Sequence, residues 1–458
     1  MDRATQAQST PSNLLAAEIS HAAKDVFLTE QNSPARGHAW RALRHRNFRL
    51  FIGGQSISLI GTWMTRIATS WLVYRLTGSA LLLGTIGFVG QIPTFLFAPF
   101  AGVWVDRSDR HKVLIATQAA LMAQALLLAV LTLTHLITVP ILLVLSALQG
   151  LINAFDMPAR QSFMIRMIDD RADLSNAIAI NSSMVNMTRL IGPSIAGILI
   201  AVTGEGLCFL IDGLSYAAVL TSLFLMHVAR EEPHAARGSA LGQLKDGWSY
   251  VSRFRPIRAI LLLFALVSLM GMPYLVLMPI FAAEVLHGGA HTMGFLMAAS
   301  GIGALISSLM LMRRRNAAGL ERAIPLASLI FGVGLVGFGC SSNFWLSMLL
   351  VMIAGGGMIL GLAASNTVIQ TIVSEQMRGR VMSYYTMAFI GMAPFGSLLA
   401  GSMAHHIGAQ KTVMINGAIV ILGALIFYAR LKVIDRDTRP IYERLGFLAA
   451  ENESSIDE

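Results

Sequence analysis

The chain has 458 residues, of which 55% are hydrophobic and 13% charged, against roughly 45–50% and 25% in a soluble globular domain. That excludes an ordinary soluble fold and leaves room for about a dozen membrane-crossing helices of ~20 residues with short connections and polar tails. The net charge of +9 follows the polar segments between apolar runs, with no helix-turn-helix and no aromatic-bearing strand pattern beside it, so it does not point to nucleic acid.

Residues 1–46 form a polar N-terminal tail without the long apolar core of a cleaved signal peptide. Within it Leu14, Leu15, Ile19, Ala22 and Val26 recur at helical spacing and predict a short surface helix. Arg36, Arg41, Arg44, Arg46 and Arg49 then make a basic run before the first apolar stretch.

Six spans are predicted at 51–74, 81–105, 113–134, 139–155, 175–202 and 207–228, inside a first bundle at 47–228. A hydrophilic linker, 229–255, separates them from six more at 257–283, 293–312, 323–340, 344–373, 381–405 and 412–429. These belong to a second bundle at 256–430, followed by a C-terminal tail at 431–458. The runs are too long and too unalternating for barrel strands, so the spans are helices. The 41 Gly residues suit membrane helices that approach closely.

With the N-terminus placed in the cytoplasm, only Arg75 and Lys411 of the 34 Lys and Arg residues fall in outer loops. Arg66 and Arg189 fall in the membrane interior. An error in the number of spans scrambles this segregation, so the positive-inside rule supports twelve spans with both termini, the linker and the loop at 102–112 on the cytoplasmic side. Cys208 and Cys340 lie near outer helix ends and read as unpaired packing residues.

The loop GVWVDRSDRHK, 102–112, packs its charges between two apolar runs. Gly102 allows close backbone approach, Asp106 can face a helix N-terminus, and Arg107, Arg110 and Lys112 can hold the headgroup layer. A plain polar hairpin with anchoring charges is the competing reading. The two halves also repeat one another. IGPSIAG at 191–197 returns as FGSLLAG at 395–401, so Gly192, Pro193 and Gly197, and Gly396 and Gly401, are expected to pack helices closely and let them bend.

The loop at 102–112, TWMTRIATSWLVYRLTGSALLLG from Thr62, MPARQSF from Met157, LSNAIAINSSMVNMTRLIGPSIAG from Leu174 and RGRVMSYYTM from Arg378 resemble the major facilitator superfamily, and within it bacterial transporters of the enterobactin-exporter type, the transmembrane secretion effectors. The resemblance covers nearly all of 39–432. It implies an all-α membrane protein with twelve transmembrane helices in two pseudo-symmetric six-helix bundles. It also implies export of a small, often amphipathic compound, such as a siderophore or macrolide, across the inner membrane, with protons as the coupling partner; a monomer is an expectation the sequence leaves open. The second-half counterpart of the loop, RRRNAAGLER at 313–322, lacks the aspartate.

Charges inside a bilayer are costly and therefore functional candidates. Arg66 and Asp156 sit on spans that line the central cavity in this superfamily and form the preferred pair; Asp156 paired with Arg160 at the inner surface is the alternative. Arg189 is read as structural, satisfied by a carbonyl freed at Pro193, and Asp212 as structural on a peripheral span. Asn366 and Gln370, one turn apart, and Gln55, Trp63, Gln91 and Gln149 offer uncharged ligand contacts, or else bonds between helices. The 25 Met residues suit a compliant pocket. No zinc helix, nucleophile elbow or phosphate-cradling loop occurs, so no catalytic residues, metal or cofactor are assigned and ATP hydrolysis within the chain is not expected. Two alternatives to export remain: an importer of a small nutrient, and a sensor or enzyme reusing the fold without transport.

Overall fold

The computed structural model describes residues 40–168, 170, 173–227, 240–312 and 319–444. The surface helix expected at 14–26, the 229–239 part of the linker, the 313–318 part of the second-half loop and the chain end from 445 lie outside the described residues.

Helix α1 runs Arg46–Thr77, longer at both ends than its apolar core. It stops at Gly78, whose φ of 60° closes the helix through a bond from its N–H to the Tyr74 carbonyl in the left-handed cap that glycine adopts freely. Ser79 caps α2, Ala80–Asp106, and Asp109 caps α3, Arg110–Leu133. The first half continues with α4 Val139–Ile165, α5 Leu174–Thr203 and α6 Glu205–Leu225. An amphipathic helix, α7 Ala240–Arg253, ends the linker and packs Trp248 against Tyr384 in a tilted pair with ring centroids 5.9 Å apart.

The second half opens with α8, Arg255–Leu266, which continues irregularly to Val285 through π turns at Val267–Gly271 and Phe281–Val285 and a 3₁₀ turn at Met272–Leu275. Pro273 and Pro279 remove backbone donors here, and such breaks mark places where a helix borders a site rather than lipid. Then come α9 Ala290–Met312, α10 Leu320–Cys340 and α11 Phe344–Ile372. Glu375–Ile390 (α12) and Ala393–Ile407 (α13) share one span broken at Gly391 and Met392, and α14 Ala409–Ala429 completes the bundle. An amphipathic α15, Leu431–Arg444, lies across the end, where the Tyr442 hydroxyl donates to Glu321 at 3.3 Å.

Eleven spans among the described residues are long and apolar enough to cross a membrane. The twelfth crossing helix is α1, which carries Gln55, Thr62 and Arg66 and is packed against α5 and α6. These two bundles of six meet mainly along α2 with α13 and α5 with α9, with a smaller contact between α1 and Met278–Ile280.

The repeated glycine motif explains the symmetry of those contacts. A Cβ at Gly192 would fall 2.5 Å from the Trp63 Cβ on α1, and one at Gly396 would fall 2.9 Å from Pro273 in the α8 continuation. Five positions on in each helix, Gly197 presses on Gly294 of α9 and Gly401 on Gly84 of α2. In each half, then, the first glycine fits that half's own leading helix and the second fits the opposite half. Gly84 and Gly294 open their helices while Gly197 and Gly401 lie near the ends of theirs, so both contacts close the end opposite the described termini.

Candidate substrate site

Below that closed end lies a cavity of about 250 Å³. Helices α1, α2 and α4 supply Thr62, Arg66, Gln91, Gln149 and Asn153, while the α8 break and α9 supply Val276, Met293 and Met297. The site is therefore shared by both halves, polar on the first and apolar on the second. Sequence reasoning named Arg66, Gln91 and Gln149 here but missed Asn153, which is four residues beyond Gln149 on the same helix face.

Arg66 is enclosed by protein at depth yet keeps an exposed side chain, the combination of a residue that faces an internal cavity. Its guanidinium carbon lies 5.4 Å from the Trp63 ring centroid, and that of Arg189 on α5 lies 5.9 Å from the same centroid. Both approaches fall within cation–π range. Neither arginine has an ion-pair or hydrogen-bond partner among the described residues. The carbonyl freed at Pro193 is not what holds Arg189; the Trp63 face is. Gly192 makes this arrangement possible, because any side chain there would occupy the place of Trp63.

Asp156 does not join Arg66. It is fully buried and accepts from Thr117 Oγ1 at 2.9 Å and Gln118 Nε2 at 2.7 Å, and it pairs with Arg160 on the next turn. Arg160 in turn donates to Gln55 Oε1 at 3.3 Å. This network ties α1, α3 and α4 together and takes up Gln55 as well as Asp156. Asn366 and Gln370 bond each other at 2.6 Å and do not line the cavity. Asp212 is fully buried behind α1, against Gly61.

At the termini-bearing end, Asp106 is 49% exposed and pairs with Arg110 at 3.2 Å within its own loop. Arg107 is exposed, and Lys112 lies 3.9 Å from Asp109. A Cβ on Gly102 would meet nothing within 4 Å, so no close approach occurs there. The start of α3 is capped by Asp109, whose Oδ1 accepts from the N–H groups of His111 at 3.1 Å and Lys112 at 3.3 Å. Cys208 is buried, Cys340 is exposed, and both are free.

Among curated relatives, the staphyloferrin A transporter of Staphylococcus aureus is 27% identical over 382 residues, covering 83% of this chain and 95% of the relative. Macrolide efflux protein A of Streptococcus pyogenes is 21% identical over 378 residues, covering 81% and 93%. Multidrug efflux pump Tap of Mycolicibacterium fortuitum is 26% identical over 399 residues, covering 83% and 95%. The fold is similar to that of a POT family transporter solved in complex with 5-aminolevulinic acid, with a TM-score of 0.69 at 12% identity over 85% of this chain and 96% of that one. It is also similar to an inward-facing bacterial homologue of the lysosomal transporter Spinster, with a TM-score of 0.66 at 14% identity over 85% and 97%. Residues 37–449 match the family described as transmembrane secretion effectors, and with twelve helices in two bundles around a shared cavity the chain belongs to that family of major facilitator transporters.

Proposed function

We propose that this transporter exports a small amphipathic compound from the cytoplasm by alternating access, in antiport with protons. The observation that carries the reading is the cavity shared by the two halves and sealed from one end. Gly84 with Gly401 and Gly197 with Gly294 form that seal, and the Tyr74 hydroxyl adds a bond to Glu284 of the second half at 3.1 Å. The bundles at 47–228 and 256–430 rock about these contacts, joined by the linker at 229–255. The segregation of Lys and Arg supports an inner-membrane protein with cytoplasmic termini, so the closed end faces outward and the cavity is loaded from inside. The efflux names of two relatives support the direction.

Inside-out vesicles containing the purified protein test this directly. A panel of siderophores and macrolides is offered outside, with the vesicle interior made acidic. Uptake of at least one compound that collapses with an uncoupler is the expected result. Uptake only from the opposite face would make the protein an importer, and uptake indifferent to the proton gradient would remove antiport.

A further inference from the structure

Among the described residues the cavity holds a positive charge with no counter-charge: Arg66 faces it, Arg189 approaches the same Trp63 ring, and no described Asp or Glu lines it. The nearby carboxylates are engaged elsewhere or enclosed. Asp156 is taken by Arg160, Glu205 by Arg75 at 2.8 Å, and Glu284 by Tyr74. Asp212 has no exposed surface at all and cannot meet a ligand. A cation exposed to a cavity with low-dielectric walls and no carboxylate draws anions to it, and two cations near one indole add to that positive potential. An indole face orients guanidinium groups but carries no net charge with which to neutralise them.

We propose that the ligand of this cavity is an oxyanion, a compound with two or more carboxylate or phosphate groups, for which Arg66 is the lining counter-charge and Arg189, beside the same Trp63 ring, adds to the positive potential. The planar fork of a guanidinium matches a carboxylate or phosphate edge with two parallel bonds. Around it Gln91, Gln149 and Asn153 offer amide donors, while Met293 and Met297 give an adaptable apolar wall for the remainder of the molecule. The proposal rests on the transport reading of the same cavity for its biological sense, but ligand binding can be measured without transport.

The test is thermal unfolding of the purified full-length protein in detergent, titrated with citrate, inorganic pyrophosphate, uncharged triethyl citrate and the cation tetraphenylphosphonium. At least one oxyanion should raise the melting temperature, half-saturating at a concentration tenfold or more below that of the ester, with no response to the cation. Citrate against pyrophosphate then tells carboxylate from phosphate recognition. Arg66→Gln and Arg189→Gln should each raise the half-saturating concentration at least tenfold. Should either variant fail to unfold cooperatively, phenylglyoxal modification of Arg66 in the wild-type protein, followed by mass spectrometry, replaces it; the effective oxyanion should slow modification several-fold and the ester should not. Equal stabilisation by ester or cation, an unchanged oxyanion response in both variants, or no response to either oxyanion overturns the proposal. A protein that binds citrate but moves nothing in vesicles fails only the transport reading, and one that moves neutral amphiphiles while ignoring oxyanions fails only this one.

Discussion

Gly84 and Gly401 meet across the junction of the two halves so closely that a Cβ on Gly401 would lie 2.6 Å from the Gly84 Cα. Backbones this near allow no side chain, so Gly401→Leu cannot keep the closed end closed. Overpacking costs about 1–3 kcal/mol, and 1.4 kcal/mol is tenfold in a two-state ratio. We expect Gly401→Leu to shift the population toward opening at that end. Ser70 on α1 lines the cavity, and a cysteine there should be modified from the Gly84 side roughly tenfold faster. Tyr74→Phe, which removes the bond to Glu284, should act in the same direction more weakly, by about 0.5–1.5 kcal/mol. An unchanged labelling rate in Gly401→Leu would show that the seal lies elsewhere.

Gly192 acts on the site rather than on the seal. A leucine there would collide with the Trp63 Cβ and the Ile60 carbonyl, displacing the ring that both arginines approach. Gly192→Leu should therefore abolish flux while the protein still inserts, whereas Gly197→Leu should change cavity accessibility first. Unchanged flux in Gly192→Leu at equal expression would remove Trp63 placement from the mechanism.

The twelve helices and their duplication were legible in the sequence, because apolar length and the repeat of IGPSIAG in FGSLLAG are local signals. The broken course of α8 was harder to see. Pro273 and Pro279 are visible in the chain, but π and 3₁₀ turns depend on neighbours that satisfy the freed backbone groups. The charge of Arg66 within an apolar run marks it as a cavity residue, and the i, i+4 spacing of Asp156 and Arg160 already offers the pairing that the structure shows; what sequence cannot tell is that Thr117 and Gln118 complete that site and keep Asp156 out of the cavity. The meeting of Arg66 and Arg189 at Trp63 depends on Gly192 in a helix more than a hundred residues later, a relation that no local pattern encodes.

The Asp156 network predicts a stability effect. Arg160→Ala would leave a fully buried carboxylate with only two neutral donors, and breaking a buried ion pair from one side costs about 3–5 kcal/mol. We expect a clear fall in the melting temperature of the purified protein. The double variant Asp156→Asn, Arg160→Gln should recover part of it, since no charge is then stranded. A double variant less stable than Arg160→Ala would mean that the network is held by shape rather than charge.

The proposed orientation can be read with two cysteines on opposite ends. Leu136, in the α3–α4 connection, is 64% exposed, and Ser374, before α12, is exposed at the other end. Leu136→Cys is a better outward reporter than a cysteine at Gly78, where φ is 60° and any side chain is strained. In intact cells a membrane-impermeant maleimide should label Leu136→Cys and spare Ser374→Cys. The reverse pattern would invert the protein and with it the assignment of export.

Asp106 is placed to report on the opposite conformation. In the structure its ion pair with Arg110 stays within the loop and is half in solvent, a setting in which such a pair is worth about 0–1 kcal/mol. Asp106→Asn should therefore cost this conformation little. We propose that the carboxylate finds its stronger partner, a helix start of the second half, when the termini-bearing end closes. Asparagine keeps the shape and loses the charge, so it should weaken that closed state and hold the protein in the conformation seen here. A latch of about 1.4 kcal/mol suffices for a tenfold bias, and one much stronger would trap the carrier. Ser70→Cys in the Asp106→Asn background should then react several-fold faster from the termini-bearing side, with flux reduced by a similar factor and folding intact. Wild-type labelling together with wild-type flux would leave Asp106 as a surface charge on a hairpin that Asp109 alone holds in shape.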